Sequence, residues 1–122
     1  MAKFSFANRY NRNRLFDIDT EGLEYHNLAD IFGNEDEVFT VEAIYINTKG
    51  MHIHPCVVAS TPHFRGYVNL PSHMTDICEN ILSDPSAVAA INTGHVGFTI
   101  YRYYAENYDN KECYSIRWID IG

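Results

Sequence analysis

Pro71-Ser72-His73-Met74-Thr75-Asp76-Ile77-Cys78-Glu79-Asn80-Ile81-Leu82-Ser83-Asp84-Pro85-Ser86-Ala87-Val88-Ala89-Ala90-Ile91-Asn92-Thr93-Gly94-His95-Val96-Gly97-Phe98 is the stretch on which the fold turns. Ser72 is a good N-cap directly after Pro71. Met74, Ile77, Cys78, Ile81 and Leu82 recur at i, i+3, i+4, i+7 and i+8, which is one apolar stripe of a helix. A second helix start follows, Asp84 as cap with Pro85 in the first helical position. Val88 and Ile91 face inward, and Gly94 ends the helix. From Val96 the period changes to two, with Val96, Phe98 and Ile100 alternating against Gly97, Thr99 and Tyr101.

Strands are expected on both flanks. Val96–Tyr104 and Tyr114–Ile121 make a hairpin across the polar loop Glu106–Lys111. Upstream, Val38–Asn47 alternates, Thr48-Lys49-Gly50 is a turn signal, and a second strand runs from about His52 to Ser60. A break at Thr61-Pro62-His63 precedes a short strand from Gly66 to Leu70. Glu24 to Phe32 reads as a short helix, with Leu28, Ile31 and Phe32 on one face and Gly33 at its end. The expected class is α+β: a single, mostly antiparallel sheet of about five strands, with two to three short helices on one face. No repeat or linker divides the chain, so residues 1–122 are expected to form one domain, with residues 1–14 as a basic extended arm.

The net charge is -7, but its placement is more informative than its sum. Lys3, Arg9, Arg12 and Arg14 stand in the arm without an acid among them, and segment 17–42 carries acids and no base. An acidic block repels phosphate, so direct binding of nucleic acid is disfavoured. It suits a basic protein surface, unless it is merely a solvated face that keeps the domain soluble. No apolar run is long enough to cross a bilayer, and the first residues show no signal-peptide pattern, so a cytoplasmic protein without a membrane partner is expected. Three cysteines (Cys56, Cys78 and Cys113) fit no disulfide framework.

Candidate chemistry begins at Met51-His52-Ile53-His54-Pro55-Cys56. On a strand, His52, His54 and Cys56 share one side, and imidazole with thiolate suits Zn²⁺. Further ligands are available at His63, His73, Cys78 or Cys113; His52, His54, Cys56 and Cys78 are the candidate set for a structural zinc. The plainer account has Cys56 as a small buried residue and the histidines half exposed on an edge. Enzyme motifs fail on inspection. His52-x-His54 lacks the following Glu of a cupin, only His73-Met74-Thr75 matches a phosphodiesterase element, and there is no Gly-x-Ser-x-Gly and no phosphate loop. Cys78 falls on an apolar stripe, where a core role outweighs a nucleophilic one. Tyr101, Tyr103, Tyr104 and Tyr108 cluster at the hairpin end. Ordinary strand packing is the first account of them, a protein interface the second and base stacking the third. The expected partner-binding residues are Asp30, Glu35, Asp36, Glu37, Tyr103, Tyr104 and Tyr108.

Four segments together carry a resemblance. They are Phe16–Tyr25 with Leu28-Ala29-Asp30; Ile44-Tyr45-Ile46-Asn47; Tyr67–Met74; and Ala89–Tyr101, closed by Tyr114–Ile121. The pattern resembles a group of small proteins carried by phages and prophages of Gram-positive bacteria, some of them type II-A anti-CRISPR proteins that inhibit the RNA-guided Cas nuclease. The resemblance spans nearly the whole chain and rests on structural motifs. It implies a non-enzymatic inhibitor whose protein partner is the host's type II CRISPR effector nuclease, with target-DNA loading blocked. One such inhibitor holds zinc, but the His-x-His-x-Cys row lies outside the shared pattern. The alternatives are a single-stranded nucleic-acid-binding accessory protein of a mobile element, using the arm and tyrosines, and a small zinc enzyme using His52, His54 and Cys56.

Overall fold

The computed structural model describes residues 15–47, 54–105 and 111–122. Their elements, in chain order, are β1 (Tyr25–Asn27), α1 (Leu28–Ile31), β2 (Phe39–Asn47), β3 (His54–Thr61), β4 (Phe64–Asn69), a 3-10 turn (Ser72–Met74), α2 (Thr75–Leu82), α3 (Pro85–Asn92), β5 (Val96–Ala105) and β6 (Lys111–Asp120). The expected arm, residues 1–14, lies outside the described residues. The class is α+β, as expected, but the sheet has six strands in the order β1-β4-β3-β2-β5-β6. It is mixed, because β1 runs parallel to β4 while the other pairs are antiparallel, and it is curled into a half-barrel.

The sixth strand corrects the expected helix over Glu24–Phe32. Tyr25, His26 and Asn27 pair with Tyr67, Val68 and Asn69, and Tyr67 N donates to Glu24 O at 2.9 Å. The backbone groups of residues 24–27 are thus engaged by β4 before a helix can begin. Asn27 caps α1 in a box with Asp30, leaving a helix of only four residues. Local periodicity in that span reports burial of Leu28, not helix length.

The two helices of the central stretch form with one shift and one exception. Ser72 opens a 3-10 turn instead of capping a helix with its side chain, and Thr75 Oγ1 donates to its carbonyl at 2.7 Å. Met74 and Cys78 are buried, but Ile77 of the expected apolar stripe is exposed. α3 follows its signals. Asp84 Oδ1 accepts from Ser86 N at 3.0 Å, Pro85 is the first residue, and Gly94 past the end has φ of +78°, a conformation in which glycine carries no Cβ penalty.

Register places the core. Ile44, Val57 and Val68 stand side by side on β2, β3 and β4, each almost fully buried. A register shift between Val41 and Ala43 lets one extra residue, Glu42, project and bind Arg65 at 2.9 Å. β2 meets β5 through only two pairs, Phe39↔Phe98 and Thr40↔Gly97. The two Phe rings stack there, with centroids 5.2 Å apart. Ile81 of α2 and Ala87 of α3 line one cleft with Val96, Trp118, Ile119 and Asp120 at the start of β5 and the end of β6. On the far side of the sheet Phe16 meets Tyr45 edge-on, and Asn92 Nδ2 ties down Leu15 O at 2.9 Å. Among the described residues no helix is long and apolar enough to cross a membrane.

Gly97 makes the narrow junction possible. A Cβ there would sit 2.6 Å from Ile121 Cδ1 and 2.7 Å from the carbonyl oxygen of Phe39. The carbonyl belongs to a backbone held in the sheet and cannot give way cheaply. Gly97→Ala should therefore destabilise the protein by about 1–3 kcal/mol. The check is a urea titration, in which the midpoint should fall with little change in slope.

Candidate functional site

The hairpin β5–β6 supplies a rigid outlying ladder. Register pairs Arg102 with Tyr114 and Tyr104 with Glu112, so these four side chains share a face. The Tyr114 hydroxyl donates to the Glu112 carboxylate, which raises the phenol above its ordinary pKa. Arg102 lies 3.9 Å from the same carboxylate. Phe32, just past α1, packs its ring 5.5 Å from that of Tyr114 and lies 5.8 Å from the Arg102 guanidinium. The acidic chain that leaves the β1 edge is thereby pinned against the hairpin at the other end of the sheet.

This contact brings part of the expected binding set together. Asp30 is exposed on α1, its carboxylate accepting from Asn27 N at 3.1 Å. Glu35 and Asp36 are exposed in the turn that follows Phe32, and Asn34 Oδ1 accepts from Asp36 N at 2.8 Å. Glu37 is half-buried. Tyr104, also exposed, lies on the hairpin face that Phe32 touches. Tyr103 points to the opposite face, where Tyr101 lies 5.9 Å away and Arg117 sits over the Tyr101 ring. Tyr108 lies outside the described residues.

A second aromatic group escaped the sequence reading. Tyr25 stacks on Tyr67 with centroids 4.5 Å apart and planes 9° from parallel. Tyr67 in turn neighbours Tyr45 at 6.4 Å. Next to this row Asn69 Nδ2 donates to Asn27 Oδ1 at 3.2 Å, and His54 Nε2 lies 3.3 Å from Asn69 Oδ1. The available signal was the Asn27-x-x-Asp30 capping pattern, which starts the helix at residue 28 and leaves 25–27 free to be extended.

The proposed metal ligands are only partly assembled. His52 lies outside the described residues. His54 and Cys56 do share a face of β3, two residues apart, as the strand period requires. Cys78 belongs to α2 and is buried in the core cluster. Among the described residues no group of three or more His, Cys, Asp or Glu side chains gathers as a metal would need. Burial pushes the Cys56 thiol up to about 12 and the Cys78 thiol up to about 11.

Comparison with protein-family models matches none of them, and comparisons with curated proteins and with solved structures return no match.

The buried thiols set a pH dependence. Both are raised above the ordinary value of 9.0, so folding favours the neutral form. The stability this provides is complete below pH 9 and is lost as pH rises through about 11 and about 12. Thermal melts should show falling stability across that window, and the drop should shrink in Cys56→Ala. Iodoacetamide at pH 8 should label half-buried Cys113 first and reach Cys56 and Cys78 only in denaturant, as followed by mass spectrometry.

Proposed function

We propose that the protein is a phage-type inhibitor that binds a type II CRISPR effector nuclease and blocks loading of target DNA. The observation that carries this reading is the acidic and aromatic surface assembled by Phe32, in which exposed Asp30, Glu35 and Asp36 join the hairpin face bearing Arg102 and Tyr104. A Cas nuclease holds its nucleic acids in a positively charged channel and reads its short adjacent motif with arginines. An acidic surface is drawn to such a channel and competes there with DNA phosphates. Tyrosines held on a hairpin supply contact area at small entropic cost, which is the character of interface hot spots. The resemblance to type II-A anti-CRISPR proteins supports the choice of target. The mechanism needs no bond chemistry, only occupancy of a surface that DNA must reach.

A second reading, binding of single-stranded nucleic acid, finds support in the Arg117–Tyr101–Tyr103 group on the opposite hairpin face. A gel shift with a single-stranded DNA oligomer at low salt separates the two, because an inhibitor of the proposed kind should leave the oligomer unshifted.

The direct test is a DNA-cleavage assay with the effector nuclease. Charge reversal of Glu35, Asp36 and Glu37 to Lys should weaken inhibition at least about tenfold, the equivalent of 1.4 kcal/mol. Tyr104→Ala should weaken it as well, with unchanged melting temperature. Asp30 is left in place because it caps α1. Full inhibition by both variants would rule out this contact surface.

A further inference from the structure

Tyr25 is an aromatic side chain in an unusual position. It is 60% exposed, yet its ring is fixed on one side by the near-parallel ring of Tyr67. Tyr67 neighbours Tyr45, and Tyr45 is held edge-on by Phe16, so the row continues into the buried part of the molecule. One face of Tyr25 is therefore occupied and the other meets solvent. A ring already ordered loses little conformational freedom when a ligand settles on it.

Two kinds of planar group lie flat on such a ring: a nucleobase and a guanidinium. The local field distinguishes them. Asp17, Asp19, Glu21 and Glu24 lead into Tyr25, Asp30 follows it, and all five are exposed. Segment 17–42 contains no Lys or Arg, and its one histidine, His26, packs edge-on against Phe64. The cation nearest in register, Arg65 on β4, is bound by Glu42 at 2.9 Å, with Asp19 adding attraction. A nucleobase within a nucleic acid brings its phosphates into this field and is repelled, whereas a cation is drawn in. A guanidinium is planar and weakly hydrated, so it stacks on an aromatic face better than a compact, strongly hydrated ammonium does.

We propose that the solvent-facing ring of Tyr25 is the seat for an arginine side chain of a protein partner, with the exposed carboxylates of segment 17–30 as its electrostatic surround. The seat rests on the reading of the chain as a binder of a basic protein surface, and it names the side chain that is recognised. In the chain, Asp30 links the β1 edge to Phe32, which meets the hairpin face bearing Tyr104.

The test uses the whole protein and two probes of equal charge, hexa-arginine and hexa-lysine peptides, titrated by calorimetry at low salt, with oligothymidylate as a third probe. The arginine peptide should bind more tightly than the lysine peptide. Tyr25→Ala should weaken the arginine peptide about twofold to fivefold, in line with an exposed cation–π contact. Tyr25→Phe, which keeps the ring, should restore most of that loss. Melting curves of both variants guard against a folding defect. Equal arginine-peptide binding by Tyr25→Ala and the parent protein would overturn the seat, as would tight oligothymidylate binding that Tyr25→Ala abolishes. Arginine-peptide binding that depends on Tyr25 supports the seat whether or not the nuclease is inhibited. A failure in the cleavage assay therefore counts against that nuclease as the partner and not against the seat.

Discussion

The fold depends on a narrow junction. β2 and β5 are joined by two register pairs, and the stack of Phe39 on Phe98 bears the contact. Longer pairing would keep the two parts of the sheet flush. With so few bonds, β5–β6 extends past the start of β2 as a hairpin while β2, β3 and β4 continue the other way. Gly97 allows Phe39 O and Ile121 to close over the joint. The curl that results lets α1, leaving one sheet edge, reach β6 at the other. The surface around Tyr104 follows from that reach, because Phe32 meets Tyr114 and Arg102 across the curl.

How much of this the residues disclosed depends on how local each determinant is. α3 was legible because its ends are satisfied by neighbours in sequence, Asp84 at the start and Gly94 past the end. β2 and the hairpin were legible because alternation over nine or ten residues leaves little ambiguity. β1 was not, since three residues are too few to show a period and their partner is a strand some forty residues away. Ile77 misled for a related reason. It fits the helical stripe, but α2 is eight residues long and buries its neighbours Met74 and Cys78 instead.

The candidate sites divide in the same way. His54 and Cys56 share a face, as strand geometry demands, because that relation needs only one strand. Joining Cys78 to them required knowing which face α2 covers, a property of the assembled sheet. The acidic run was visible as composition, but its meeting with Tyr104 depends on Phe32 reaching Arg102 and Tyr114 from seventy or more residues away. Tyr25 was concealed by the helix assigned to its segment. Its pairing with Tyr67 exists only once β1 lies parallel to β4.

Charge and aromatic rings have separate tasks in this arrangement. The carboxylates are exposed and largely hydrated, so each contributes little to a fixed contact but together they bias which partners approach and how fast. That influence reaches about a Debye length and is screened by salt. The rings act at contact distance, and their value lies in being held still: Tyr25 by Tyr67, and Tyr114 by Phe32 and Glu112. An acidic chain without ordered rings would attract basic surfaces indiscriminately. Ordered rings without the charge would accept nucleobases as readily as guanidinium groups. On the proposed reading, selection of a basic protein surface over nucleic acid rests on having both on one segment, and residues 17–37 carry exposed carboxylates beside the ordered rings of Tyr25 and Phe32.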